Sequence, residues 1–321
     1  MATRSRDIKN GTQQQTNESR RKFPCRSKFM ITVDRNQAPK APAVSSVSVL
    51  FYLAAIGKPN LAVKLRTLQN NLYHLAQQND VGQIDLIVNI YSDHQRVHEE
   101  VLAVQQRIPR LNSVSFHDSS GVLAELWSTN PFHSLISSGS YTCVLFVLDD
   151  VQLLHLPVSR CLKIMDTHRL DILSPRVSNA TWTELMGSFS KVGWNGDQRA
   201  ASADSAGALL EDARDGTAVD GLKFVNHCEW YCYVLRPQTF VRLLQKHSVQ
   251  NRFCWGVDLL LGYFGFKSAV WAGAHCHHLF KDTGDNREHW ELMYRFLRKY
   301  GFRDMEDVFR KFPQIVQIKS R

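Results

Sequence analysis

Two adjacent carboxylates, Asp149 and Asp150, interrupt the apolar stretch Tyr141 to Leu154, YTCVLFVLDDVQLL. The run from Val144 to Leu148 is long enough for one buried strand and too short to cross a membrane. At the carboxyl end of a central strand in an open α/β sheet, such a pair faces the ligand crevice. Hard oxygen ligands there suit Mg2+ or Mn2+, and that cation would hold a diphosphate. The alternative is purely structural, with one Asp capping the next turn and the other solvated. A third carboxylate, Asp258, ends Trp255-Gly256-Val257-Asp258. The pattern predicts a helix from Asp258 to Phe264, with the acid where the helix dipole favours it. The segment FKSAVWAGAHCHHLF, Phe266 to Phe280, predicts a strand ending in His275, Cys276, His277 and His278. Strand alternation puts His275 and His277 on one side and His278 on the other. With His227, Cys228 and Cys232 this cluster offers Zn2+ ligands, although the spacing fits no standard zinc pattern.

The elements that must position these groups alternate. Ser46 to Ile56 predicts a strand, and Gly57-Lys58-Pro59-Asn60 a turn. Asn60 to Gln77 predicts an amphipathic helix, with Leu61, Leu65, Leu68, Leu72 and Leu75 on one face and Asn60 as N-cap. Lys64 and Arg66 could reach a phosphate, but on an amphipathic helix they read first as its solvated face. Further strands are expected at Ile84 to Tyr91, Val114 to Phe116 and Tyr141 to Leu148, with helices at His94 to Arg107 and from Gly121 to Trp127. Beyond the acid pair come a helix from Pro157 to Arg169 and an extended segment from Leu170 to Pro175. A strand from Val219 to Leu235, a helix from Thr239 to His247 and a helix pair from His289 to Phe312 complete the reading. This β-α alternation predicts an α/β fold, a mixed but mainly parallel sheet with helices on both faces. No GxGxxG or Walker A sequence occurs, so neither a dinucleotide fold nor a P-loop is indicated.

The chain has 321 residues and a formal charge of +9. Between Met1 and Lys40 ten Lys or Arg stand against three acids, Asp7, Glu18 and Asp34. Residues 1–45 therefore read as a basic disordered tail, with an organellar transit peptide as the alternative. No apolar run is long enough for a transmembrane segment, and no h-region of a secretory signal opens the chain. The seven cysteines form no disulfide framework, which points to a reducing, cytoplasmic setting. The charge lies mainly outside the core and no RRM, KH or zinc-finger pattern occurs, so no nucleic-acid partner is expected. Residues 46–285 form the main domain, in halves 46–155 and 156–285. A Gly-, Ala- and Ser-rich insertion at about 190–220 reads as mobile, and helices occupy 286–321.

A strand ending in Asp-Asp after two βα units resembles the DxD-type metal motif of GT-A fold glycosyltransferases. Leu148 and Val151 flank the pair, so the strict Asp-x-Asp spacing is not met. The resemblance implies a nucleotide-sugar donor, UDP- or GDP-linked, a glycan or other hydroxyl acceptor, and Mn2+ or Mg2+ at Asp149 and Asp150. It places the nucleotide against Ala54, Ala55, Asn60 and Asp93, with Asp149 also at the donor. A late histidine, His277 or next His275, would complete the metal. Trp255-Gly256-Val257-Asp258 is similar to the acceptor-side acid segment of inverting members, which makes Asp258 the general base and Trp255 and Gly256 part of the substrate site. The order LDDV, LDILSPRVSNATW, FVNHCEWYCYVL, CWGVD resembles the plant and bacterial GT-A-like family often mislabelled as lysine-ketoglutarate-reductase trans-splicing-related. That likeness sets Asn179 and Glu229 in the sugar or acceptor pocket. It departs at Trp271, where the family tends to carry an acid. Expected function is therefore an inverting, metal-dependent glycosyltransferase, with an inactive nucleotide-binding relative or a basic nucleic-acid-binding protein as rivals.

Overall fold

The computed structural model describes residues 46–119, 123–128, 133–138, 141–179, 221–280 and 287–312. The basic stretch before residue 46, Ala180 to Trp182 and the 190–220 insertion lie outside the described residues.

The first strand, β1 (Val47–Ile56), is buried on both faces. Val49, Phe51 and Leu53 point into one core cluster while Leu50, Tyr52 and Ala54 point into another. A strand with two covered faces reads as a continuous apolar run, as this one does. Its neighbours are β2 (Val81–Ile90) and β4 (Cys143–Val147), both parallel to it, and β3 (Leu111–Asp118) extends the sheet beyond β2. Helices α1 (Leu61–Ala76), α2 (His94–Arg107) and α5 (Val158–His168) cover the first face. The second is covered by α3 (Leu123–Ser128), α4 (His133–Ser138), α6 (Pro237–Leu244), α7 (Arg287–Lys299) and α8 (Met305–Lys311).

The rest of the sheet is mixed. Across the sheet the order is β3-β2-β1-β4-β8-β6-β9-β5, with β7 paired to β9. Here β5 is Val151–His155, β6 Ile172–Ser178, β7 Leu222–Val225, β8 Cys232–Leu235 and β9 Ser268–His278. Among the described residues of this half β6 and β9 run parallel; β4 with β8, β5 with β9, β6 with β8 and β7 with β9 are antiparallel.

Three elements differ from expectation. The strand expected over Val219 to Leu235 is two, β7 and β8, because the chain leaves β9 and crosses to β4 through Asn226 to Tyr231. The helix expected over Asp258 to Phe264 shortens to a 3-10 turn, Asp258–Leu260. Its continuation is diverted because Gly262 N–H donates to Asn226 O at 2.7 Å. Finally, β5 follows directly on the acid pair, tied down by Asn71 of α1, whose amide donates to Val151 O and accepts from Leu153 N–H.

Candidate functional site

Sheet topology sets the site. The chain runs outward from β1 to β2 and β3, then returns to β4 on the other side of β1. Where strand order reverses, the carboxyl ends of adjacent parallel strands open a crevice, the usual ligand position in open α/β sheets. Here that crevice lies between Ile56-Gly57-Lys58 at the end of β1 and Asp149-Asp150 at the end of β4.

A lysine closes it. Lys64 is buried, with its Nζ 2.9 Å from Asp149, 3.0 Å from the Tyr91 hydroxyl and 3.2 Å from Gly57 O. Tyr91 in turn donates to Lys58 O at 2.8 Å, and Ser92 accepts from Lys58 N–H. Burial pushes the Asp149 carboxyl up to about 7, against the pull of Lys64 and with a push from Asp150. Burial also opposes the Lys64 charge, but Asp149 and Tyr91 outweigh it and its pKa is raised. Gly57 is required here, since an added Cβ would lie 2.4 Å from Ser92 Oγ and 2.5 Å from the Tyr91 ring.

Asp150 turns the other way. Its Oδ2 is 3.0 Å from His278 Nε2, and its Oδ1 is buried without a hydrogen-bond partner. Asn179, in left-handed backbone at φ 62, clasps His278 by donating to its carbonyl at 2.8 Å. The Tyr231 ring packs 4.6 Å from His278, and Tyr231 O accepts from Leu148 N–H. The histidine brought to the acid pair is thus His278. The expected pair lies elsewhere: His277 bonds Ser178 Oγ at 2.9 Å, and His275 stands opposite Arg176 and His155 on the neighbouring strands. Alternation holds from Ala274 to His278, beyond an irregularity in β9, but the acid pair sits on the other side from the one expected.

Asn226 to Tyr231 connects this end of β4 to the third carboxylate. One Asp258 oxygen accepts from Gly256 N–H at 3.1 Å and Leu259 N–H at 3.0 Å. Burial nevertheless raises the carboxyl to about 7. Glu229 is buried, and its charge and that of Asp258 both bear on Cys228 and Tyr233. Gly256 has φ 90, and a Cβ there would meet Met293 of α7 at 2.9 Å. Trp255 lies edge-to-face with Trp290 at 5.5 Å.

Other expected residues have different neighbours. Ala54 is fully buried, and its carbonyl accepts from Trp127 Nε1; Ala55 is half-buried. Asn60 and Asp93 occupy the cap positions of α1 and α2 in left-handed backbone, but neither side chain caps. Asp93 instead pairs with Lys58 at 2.9 Å. Trp271 is buried in the core, with the Arg160 guanidinium over its ring. The zinc alternative does not assemble: His227 packs on Phe309, and Cys232 faces Cys276.

As the side chains stand, the acid pair does not fit a divalent metal centre. Asp149 is engaged by an ammonium and Asp150 by an imidazole. Among the described residues no three His, Cys, Asp or Glu side chains group to hold a metal ion. Lys64 is buried rather than on the solvated face expected of it. Its signal was available, because it falls three residues after Leu61 and four before Leu68, on the apolar stripe.

No protein-family model matches the sequence, and no curated protein matches it. Solved structures do. GalNAc-T7 with UDP, GalNAc and Mn2+ aligns with a TM-score of 0.52 and 8% identity, over 83% of this chain and 56% of that one. The fold is that of the GT-A glycosyltransferases. A mannosyltransferase from Pyrobaculum calidifontis, in complex with GDP-Man and Mn2+, aligns at TM-score 0.47 and 9% identity, over 86% of this chain and 68% of that one. S. aureus TarS 1-349 aligns at 0.43 and 11% identity, over 79% and 65%. The chain thus spans less than two thirds of the GalNAc-T7 and TarS chains. Among the described residues no helix is long and apolar enough to cross a membrane.

Proposed function

We propose that the protein is a glycosyltransferase that moves a sugar from a nucleoside-diphosphate donor to a hydroxyl acceptor with inversion. The observation that carries this reading is the acid pair and its lysine in the β1/β4 crevice, linked through Asn226 to Tyr231 to the isolated carboxyl of Asp258. The donor, UDP- or GDP-linked, lies at the ends of β1 and β2, near Gly57, Asn60 and Asp93. The acceptor lies toward Asp258, Trp255 and Glu229. Asp258 takes the proton from the acceptor hydroxyl, which attacks the anomeric carbon directly; the bond to the diphosphate breaks as the new glycosidic bond forms. A base with a pKa near 7 suits this work at neutral pH. The order of segments supports a likeness to the plant and bacterial GT-A-like group. Mn2+ at the acid pair is left out of this mechanism because both carboxylates already have cationic or imidazole partners. The other neighbours of the site, Asn179 and His278, hold Asp150 in place.

A thermal-shift panel of UDP, GDP and their sugars, with and without Mn2+, tests the donor. Ligand at about 100 times its Kd adds about 2.7 kcal/mol, which moves the midpoint by several degrees in a domain of this size. One base should give such a shift, and no shift with any of them would remove the donor site. Binding without transfer to any hydroxyl would instead identify a nucleotide-binding relative that has lost turnover.

A further inference from the structure

Lys64 sits where a cation is needed and points at the acceptor a metal would use. Helix geometry on α1 sends it to the sheet, between the ends of β1 and β4. Its three oxygen neighbours, from Gly57, Tyr91 and Asp149, match the three donors of an ammonium. A divalent ion on Asp149 would have to share this buried space with that positive charge. Asp149 Oδ2 and Asp150 Oδ1 are both buried without a hydrogen-bond partner, so the Lys64 charge 2.9 Å from Asp149 is the cation this pair meets.

We propose that Lys64 takes the place of the divalent ion. It neutralises Asp149 in the resting protein, excludes metal from it, and is the cation that meets the donor diphosphate, so that donor binding needs no Mn2+ or Mg2+. The side chain suits this exchange. A compact ammonium on a flexible four-carbon stem can pass from one anionic acceptor to another, and lysine is a common point-charge partner of phosphate. Its role toward a diphosphate rests on the nucleotide-sugar reading above; its exclusion of metal from Asp149 does not.

Mn2+ alone, titrated into the full chain and followed by electron paramagnetic resonance, separates the two. Wild type and Asp149→Asn should bind Mn2+ alike, with no site that depends on Asp149. Lys64→Met or Lys64→Gln should bind it at least about ten-fold more tightly, because removing the ammonium leaves Asp149 without its counter-charge beside Asp150, and adding Asp149→Asn should cancel the gain. A wild-type Mn2+ site abolished by Asp149→Asn would overturn the proposal, and this pair decides the matter even if a Lys64 variant does not fold. A folded Lys64 variant with no gain would overturn it too. Calorimetry of UDP and GDP adds the donor: equal affinity in chelator and in Mn2+ supports Lys64, and binding only in Mn2+ refutes it. Absence of nucleotide binding in both buffers counts against the nucleotide-sugar reading, while the Mn2+ titration still decides Lys64.

Discussion

The two carboxylate centres solve the same problem differently. In the parallel half, Asp149 is buried and its charge is met by Lys64, with Tyr91 and Gly57 O completing the ammonium's shell. In the mixed half, backbone N–H groups, those of Gly256 and Leu259 among them, offset the burial of Asp258. Both carboxyls are pushed up to about 7, and burial is the leading cause for each. The difference lies in what each can do next. A carboxylate paired with a lysine serves as that cation's counter-charge; one held by peptide dipoles can gain and lose a proton without breaking an ion pair. The first suits charge neutralisation, the second suits proton transfer.

Removing the base should have the largest effect. Once the donor is known, Asp258→Asn should lower kcat by about 10^2 to 10^4 with donor affinity kept, as steady-state kinetics would read. Undiminished turnover would return Asp258 to a structural role. On the other side, Lys64→Met should destabilise the fold by roughly 3–5 kcal/mol, because Asp149 is left buried and unpaired. Urea melts would show it, and Lys64→Met/Asp149→Asn should recover part of the loss. Little loss in the single variant would mean that Asp149 simply keeps a proton.

Gly256→Ala tests the packing that holds Asp258 in place. Its φ of 90 and the 2.9 Å approach of Met293 predict a loss of roughly 1–3 kcal/mol, visible in thermal melts. An Ala variant as stable as wild type would show that α7 yields. The last effect concerns pH. Asp258 holds its proton in the folded state to about pH 7, above its unfolded value, so its contribution to stability falls as pH rises from about 4 through 7. Asp258→Asn should therefore gain on wild type by up to about 4 kcal/mol more at pH 8 than at pH 4, since each pKa unit is worth about 1.4 kcal/mol. The same titration predicts a rate that rises through pH 7; a rate flat from pH 5 to 8 would separate Asp258 from the chemistry.

Much of the parallel half could be read directly. Its strands are buried on both faces, so they appear as unbroken apolar runs, and its helices carry regular apolar stripes, leucine on α1 and valine on α2. The mixed half was harder because β5, β7 and β8 are only four or five residues long and gain their pairing from distant partners. Short strands carry little periodicity, so one apolar stretch from Val219 to Leu235 looked continuous. At the site, Asp149, Asp150 and Asp258 stood out by type and position. Asn179 does reach the acid pair, but through His278 rather than by itself.

Sequence alone determined the α/β alternation, the strand that ends in two acids, and the segment that carries the third. Tertiary structure decided which partners those acids have. Lys64 lies 85 residues before Asp149 and His278 lies 128 after Asp150, and no local pattern links them. Parity on β9 separates His277 from His278, yet only the antiparallel register of β5 against β9 says which of the two faces meets Asp150. Likewise the apolar stripe of α1 carries Lys64 inward, but only the return of the chain to the far side of β1 sets an aspartate there to receive it. Charge pairing in a buried crevice is a property of strand order, and strand order is fixed by long-range packing.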